Sequence, residues 1–227
     1  MCSETIRRRR GQPLPRARLP PTSLTRIYLI RHAETTWNAE GRLQGTLDAP
    51  LSERGQRQVR HLVEALTHVP LTAVYSSPLE RAHGTARMLA AAHALTARTI
   101  EAFREMNQGE WEGRRVEDVA AESGESLKKW RDSPAETRLP GGETLAEVAH
   151  RAVAAFGDVA ARHPDGTIAI VAHGGVNKTI LLTLLDASLG HHWRIRQGNA
   201  CVNIVEMDGS TARIAVLNDT IHLGPDG

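Results

Sequence analysis

Histidine and arginine residues follow three predicted buried strands of the chain, at the point where each strand ends. The first strand runs into Arg31-His32, the second leads through Ser77-Pro78 to Arg81, and a late strand ends at His173-Gly174-Gly175. Because the carboxyl ends of parallel strands meet at one edge of a sheet, we expect these side chains to converge there. Each residue alone has an ordinary structural explanation, but four such residues at equivalent strand exits favour a functional site.

These side chain types are suited to phosphate chemistry. A guanidinium group presents a rigid fork of donors that matches phosphate, and a neutral imidazole can attack phosphorus. Neighbouring cations favour the neutral form of a histidine. The helix expected beyond His173 would add backbone amides that favour an anion. Phosphoryl transfer needs mainly positioning and charge neutralisation, so the sequence predicts a site that works without a metal ion.

Short apolar runs predict the strands that would position these residues. Two further segments, joined through Asp208-Gly209, predict a late hairpin. The predicted strands cover residues 26–30, 71–75, 98–103 and 167–171, and the hairpin covers residues 201–207 and 211–217.

Apolar residues at helical spacing predict helices between the strands. One helix is capped by Ser52, one is opened by Ser77-Pro78, and a long one begins at the capping box of Thr144 and Glu147. Another begins near Gly175–Lys178. The alternation of strands and helices predicts an α/β fold: a three-layer sandwich with a mostly parallel central sheet and helices on both faces.

The composition indicates a single soluble domain. The apolar fraction is 41% and the charged fraction 24%, and no apolar run approaches the roughly 18 residues that span a bilayer. Cys2 and Cys201 cannot build a disulfide framework, so we expect a cytoplasmic protein.

Charge is distributed unevenly along the chain. Residues 1–24 contain six arginines and one glutamate, so the net charge of +2 leaves the remainder at −3. The Arg7–Arg10 run is typical either of a tether to an anionic surface or of a disordered extension. We expect the second: a disordered Arg/Pro-rich tail over residues 1–23, a domain over residues 24–227, and neither nucleic acid nor a membrane as a partner.

Seven motifs, in the order of a known family, carry a resemblance to it. They are Leu29–Asn38 with its Arg31-His32-Ala33 core, Gly41–Gly45, Asp48–Gly55, Ser76–Ala82, Arg104–Gly113, Pro140–Thr144 and Val171–Gly175. Together they resemble the histidine phosphatase superfamily, also called phosphoglycerate mutase-like, over about residues 25–220. The Glu105–Gly113 run resembles the phosphatase branch that holds broad-specificity phosphatases and α-ribazole phosphatase. Ala33 stands where the family usually has glycine.

The resemblance implies roles for individual residues. His32 would be the nucleophile, and Glu105 would be the general acid and then the general base. Glu110 and Glu112 are weaker candidates for that role. Contacts with the phosphate are expected from Arg31, Asn38, Gln44, Gly45, Arg81, His173 and Gly174. The expected reaction is hydrolysis of a small phosphorylated metabolite through a phosphohistidine, with no metal and no cofactor.

Three alternatives remain open at this point. A cofactor-dependent phosphoglycerate mutase would use the same nucleophile. Such mutases resemble one another in a tyrosine- and lysine-rich insert, which residues 113–140 of this chain lack. A non-catalytic binding member of the fold would typically have lost the nucleophile or an arginine. A metal site at His32 and His173 lacks a spaced carboxylate or cysteine partner. Residues 113–140 are expected to form a lid-like insert that determines specificity, and a homodimer stays open.

Overall fold

The computed structural model describes residues 23–224; the predicted tail lies almost entirely outside the described residues. Within that range the strands form one six-stranded sheet in the order β3-β2-β4-β1-β5-β6. The strands are β1 (Thr25–Arg31), β2 (Ala73–Ser76), β3 (Ala97–Thr99), β4 (Thr167–Ala172), β5 (Val202–Asp208) and β6 (Thr211–Asp219). The pairings among β3, β2, β4 and β1 are parallel, and the late hairpin adds two antiparallel pairings. The predicted mostly parallel sheet is therefore confirmed.

Helices connect the strands and cover the sheet. They are α1 (Thr36–Ala39), α2 (Glu53–Leu66), α3 (Glu80–Ala92), α4 (Val116–Glu122), α5 (Gly124–Asp132), α6 (Leu145–Ala161) and α7 (Gly174–Leu184). No helix in residues 23–224 is long and apolar enough to cross a membrane. The predicted caps are present: the Ser52 side chain accepts from the Gly55 amide at the start of α2, and Thr144 and Glu147 form a capping box at the start of α6.

The central strand β4 shows why the fold has three layers. Its successive side chains point to opposite faces of the sheet, and all from Ile168 to Ala172 are apolar. Ile168 and Ile170 pack with residues of α6 and α7, whereas Ala169 and Val171 pack with residues of α2 and α3. Both faces of the sheet are thus buried under helices, as the continuous apolar run predicts.

Two predicted boundaries are wrong. The helix expected to open at Ser77-Pro78 begins at Glu80, because the Asp48 carboxylate accepts a hydrogen bond from the Glu80 amide (2.7 Å) and supplies the cap from elsewhere in the chain. The strand expected over residues 98–103 ends at Thr99, and Glu101–Phe103 forms a 3₁₀ turn whose Phe103 side chain is buried. The turn leads the chain directly towards Glu105.

Arg151 of α6 braces the segment that carries Glu105. Its guanidinium group forms a bidentate ion pair with Glu143 (3.0 Å for each bond) and donates to the carbonyl oxygens of Ala102, Arg104 and Glu105. The Glu143 carboxylate also accepts from the Asn107 amide at 2.8 Å. Both side chains of the pair are only 20% exposed. The loop after the 3₁₀ turn is therefore fixed to α6 through charge-assisted hydrogen bonds.

We expect Arg151→Met to lower the free energy of unfolding by about 2 kcal/mol, because several hydrogen bonds to a charged group are lost and carbonyl oxygens are left unpaired. The matched control is Arg26→Met, which removes an ion pair with Glu206 in which the arginine is more exposed than Arg151. This change should lower the free energy of unfolding by less than about 1 kcal/mol. Urea unfolding of both variants measures the difference. Equal losses would show that Arg151 does not brace the loop.

Candidate active site

The register of the sheet brings the two histidines together. β1 and β4 are parallel neighbours with Arg31 opposite Ala172, so the residues that follow, His32 and His173, lie side by side. Their ring centroids are 5.2 Å apart. Arg81 enters from the other side of β4, in the first turn of α3 after β2. All three side chains are buried.

The environment of His32 selects one protonation state. Its Nδ1 lies 2.7 Å from the carbonyl oxygen of Ala33, and since a carbonyl oxygen can only accept, Nδ1 carries the hydrogen. Burial, Arg81 and Arg31 together hold the pKa of His32 well below its ordinary value of 6.5. The ring is therefore neutral with the lone pair on Nε2. A neutral imidazole with a free distal nitrogen is a competent nucleophile.

His173 is in a similar electrostatic environment. Burial is the largest cause of its lowered pKa, and Arg81 and His32 add to it. Neither of its ring nitrogens has a hydrogen-bond partner among residues 23–224, although both are buried. It can thus offer one N–H donor to an oxygen atom beside His32.

Arg81 is held by the loop that precedes α2. Its two terminal nitrogens donate to the carbonyl oxygens of Leu47 and Gly45 (2.6 Å each), and one also donates to the Asp48 carboxylate at 2.9 Å. Gly45 has a φ of +52°, and a Cβ there would overlap the Glu112 side chain. The loop therefore needs glycine at this position to place its carbonyl oxygen against Arg81.

Arg31 is held from the opposite side. One terminal nitrogen donates to the carbonyl oxygen of Gln197 at 2.7 Å. The Nε atoms of Arg31 and Arg81 are buried and have no partner within the described part of the chain. Buried guanidinium donors are rarely left unpaired. With His173, they form a set of free donors suited to an oxyanion.

Glu105 lies at the N-terminus of α7, where an anionic ligand was expected. Its carboxylate accepts from the backbone amides of Gly175 (3.0 Å) and Val176 (3.2 Å) at the start of α7, and from Met106 at 2.9 Å. A Cβ at Gly175 would overlap this carboxylate. The amides of Gly175 and Val176 therefore orient Glu105 and are not free for a phosphate, which corrects the expectation for these two amides.

The remaining predicted ligands lie in a small recess next to His32. The recess has a volume of about 180 Å³ and is lined by Arg31, His32, Asn38, Arg42, Leu43, Gln44, Gly45, Arg81, Glu105 and Gln108. The Asn38 oxygen accepts from Thr35 and Asn199, and the Gln44 oxygen accepts from Thr35. These oxygens are engaged in the fold, so the amide nitrogens are what the two side chains can offer a ligand.

Two predicted residues are placed outside this recess. Gly174 lies over the Arg31 guanidinium and lines a neighbouring, larger cavity of about 740 Å³. His173 is not among the residues that line either space, and it reaches the site through its contact with His32. Arg31, Glu105 and Gln108 line both spaces. Glu105 thus stands at the junction between a compact cationic recess and a larger chamber.

The weaker acid candidates are not available for this chemistry. The Glu112 carboxylate accepts from the amides of Thr46 and Gln108 and from the Thr46 hydroxyl, and unlike Glu105 it lines neither space. The Glu110 side chain is exposed and lines neither space. Glu105 is the carboxylate that the geometry favours.

Sequence reasoning missed the residues that hold the arginines and those that line the larger cavity. Asp48 belongs to the Asp48–Gly55 motif, but that motif does not predict its hydrogen bonds to α3 and Arg81. The carbonyl oxygen of Gln197 and the side chains of Lys178 and Trp193 come from segments with no motif. No local pattern marks them, because their partners are distant in sequence.

Comparisons with known proteins agree with this geometry. A family model described as the histidine phosphatase superfamily (branch 1) matches residues 27–220. The chain is 35% identical over 201 residues to phosphoserine phosphatase 1 of Hydrogenobacter thermophilus, which covers 88% of this chain and 95% of that protein. It is 32% identical over 206 residues to a probable phosphoglycerate mutase of Yersinia pestis, with coverage of 88% and 95%.

A solved structure has the same fold. Mycobacterial glucosyl-3-phosphoglycerate phosphatase in complex with VO3 aligns with a TM-score of 0.80 and 28% identity, over 86% of this chain and 99% of that one. The matched family model covers five strands completely and β1 from residue 27 onward, and it extends over every candidate site residue. This chain is a member of the histidine phosphatase superfamily.

Proposed function

We propose that the protein hydrolyses a small phosphate monoester through a phosphohistidine formed on Nε2 of His32. The observation that carries the proposal is the neutral His32 ring, fixed by its Nδ1–H bond to Ala33 beside the buried Arg81 and the partly buried Arg31. The named relatives support it, since phosphoserine phosphatase 1 and glucosyl-3-phosphoglycerate phosphatase are phosphatases of small metabolites.

In the first step the lone pair of His32 Nε2 attacks phosphorus and the bond from phosphorus to the ester oxygen breaks. Arg31, Arg81 and His173 donate to the phosphoryl oxygens and stabilise the negative charge of the transition state. The leaving oxygen takes a proton from Glu105, whose position at the junction of recess and cavity suits this transfer. Asn38, Gln44 and the Gly45 loop position the phosphoryl group.

In the second step the Glu105 carboxylate accepts a proton from water as the water oxygen attacks the phosphohistidine. The bond between phosphorus and Nε2 breaks, the lone pair returns to His32, and inorganic phosphate leaves. Glu105 is then protonated again, so the cycle closes. Its Oε2 accepts one amide hydrogen bond, which leaves a lone pair for the transferred proton.

The site supplies its positive charge from side chains, which supports catalysis without a metal ion. Residues 23–224 contain no group of three or more His, Cys, Asp or Glu residues that could hold a metal, and the two guanidinium groups would repel a divalent cation. Cys201 is a buried free thiol, and such a thiol is typical of a protein in the reducing cytoplasm, where we place it.

We further propose that residues 113–140 act as a lid-like insert of the domain that spans residues 24–227. Val116 of α4 and Leu127, Trp130 and Arg131 of α5 line the larger cavity. The insert would then contact the alcohol part of the substrate, whereas the recess holds its phosphate.

A second candidate function is phosphoryl transfer, because a probable phosphoglycerate mutase is among the relatives. The same phosphohistidine would then pass its phosphate to a bound glycerate instead of water. The two reactions are distinguished by their products: the hydrolase releases inorganic phosphate from 3-phosphoglycerate, and the mutase converts it to 2-phosphoglycerate.

We expect brief incubation with a ³²P-labelled monoester, in the presence of a chelator, to give protein-bound label that survives alkali and is lost in acid. This stability is typical of a phosphoramidate bond. His32→Ala should give no label and no turnover, whereas His83→Ala, a histidine that pairs with Ser76 away from the recess, should label normally. Turnover by the His32→Ala protein would contradict the proposed mechanism.

We expect Glu105→Gln to slow phosphorylation by an alkyl phosphate ~10²–10⁴-fold and to have a distinctly smaller effect with nitrophenyl phosphate. An alkoxide needs a proton to leave, and a nitrophenolate does not. Single-turnover measurements isolate this step, because Glu105 would also assist the second. The exposed Glu110→Gln is the control and should change both rates less than about twofold. Equal losses on both substrates would assign Glu105 a positioning role.

A further inference from the structure

The larger cavity has a positively charged lining, and two of its cations, Arg131 and Lys178, have no role in the proposed reaction. Its walls are mainly apolar and aromatic, with Leu43, Val116, Leu127, Trp130 and Trp193 among them. Its charged lining residues are three cations, Arg31, Arg131 and Lys178, and one carboxylate, Glu105. The carboxylate is bound to the amides of α7. The cavity therefore offers an anion more partners than it offers a cation.

None of these three cations forms an ion pair within residues 23–224: Arg31 donates to a carbonyl oxygen, Arg131 is exposed, and Lys178 is partly buried. Lys178 lies one turn into α7, and its Nζ lies 5.1 Å from the Trp193 ring centroid. Within residues 23–224 it has no carboxylate within 4.0 Å and no hydrogen bond. Burial and, next, Arg31 lower its pKa, and Glu105 raises it. The ammonium group thus lies near another cation, and Glu105, which is bound to the amides of α7 and lies beyond ion-pair distance, compensates it only in part.

The neighbours of Lys178 leave it free for a ligand. His192 is buried beside it, and burial, then Lys178, lower the pKa of that histidine to about 3, so its ring is neutral. Trp193 contributes a ring face, which attracts a cation but does not cancel its charge. Lys178 does not line the recess next to His32, so it lies outside the set of groups that would contact the reacting phosphate.

We propose that Lys178 is a specificity-determining residue that binds an anionic group, such as a carboxylate, on the alcohol part of the substrate. This inference rests on the proposed hydrolase function. The substrate class is a phosphate monoester with an apolar body for the Trp130 and Leu127 wall and a negative charge remote from the phosphate. An ester whose remote group is an ammonium ion is disfavoured, because the lining offers it no free carboxylate.

Three aryl phosphates of nearly equal size test the proposal. They carry a carboxymethyl, a carbamoylmethyl or an aminoethyl group para to the ester oxygen, so the remote charge is negative, neutral or positive. The three esters share one ring and have similar leaving groups, so differences in kcat/KM reflect mainly the charge of the remote group. We expect the wild-type enzyme to prefer the carboxylate over the amide by ~10-fold, chiefly through KM, and the amide over the ammonium.

Lys178→Met removes the charge and keeps the length of the side chain. We expect it to bring the carboxylate-to-amide ratio close to one and to improve the ammonium ester relative to the amide. Lys178→Arg should restore most of the carboxylate preference. Lys128→Met, which changes an exposed lysine of α5 that lines neither space, is the matched control and should keep the ratio.

The outcomes separate this inference from the proposed function. An unchanged ratio in Lys178→Met, or no charge preference in the wild type, would overturn the role of Lys178 while hydrolysis through His32 stands. Equal losses on all three esters would assign Lys178 a structural role and would also overturn it. If none of the three esters labels His32 in the wild type, the proposed function itself fails.

Discussion

The hydrogen bond from His32 Nδ1 to the carbonyl oxygen of Ala33 determines which ring nitrogen can react, and the remaining site is arranged around that choice. With the hydrogen fixed on Nδ1, the lone pair lies on Nε2 as long as the ring stays neutral. Burial and the two arginines keep it neutral. The same arginines would then bind the phosphate. One pair of cations thus both favours the neutral form of His32 and holds the phosphoryl group that His32 attacks.

The arginines can do this because most of their partners orient them without neutralising them. Gly45, Leu47 and Gln197 contribute backbone carbonyl oxygens, which are dipoles, and within residues 23–224 Asp48 is the carboxylate that forms an ion pair with Arg81. Glu105 is held by backbone amides of α7 rather than by an arginine. The site therefore keeps its reacting carboxylate out of direct contact with the guanidinium groups, and Arg31 meets the incoming phosphate without an ion-pair partner among the described residues. Burial of these charges costs stability, and the fold must offset that cost elsewhere.

Much of the fold could be predicted from sequence because its signals are local. The apolar run of β4, the Ser52 cap and the capping box of Thr144 each involve neighbours within a few residues, and all three are present. The start of α3 was mispredicted because its cap comes from Asp48, 32 residues before Glu80. The contact of Glu105 with α7, and of Lys178 with Trp193, likewise depends on how distant segments pack. The side chains at the strand ends could be predicted from the sequence, but their protonation states and hydrogen-bond partners depend on the tertiary structure.

The most direct test of the account is the protonation state of His32 in the intact enzyme. Nitrogen NMR of protein labelled at histidine ring nitrogens, with His32→Asn used to assign the signals, reports both the tautomer and the titration. We expect a neutral ring with the hydrogen on Nδ1 at pH 6.5, where an ordinary histidine is half protonated, since the pKa of His32 lies well below 6.5. Titration of His32 near pH 6.5, or a hydrogen on Nε2 of the neutral ring, would contradict it.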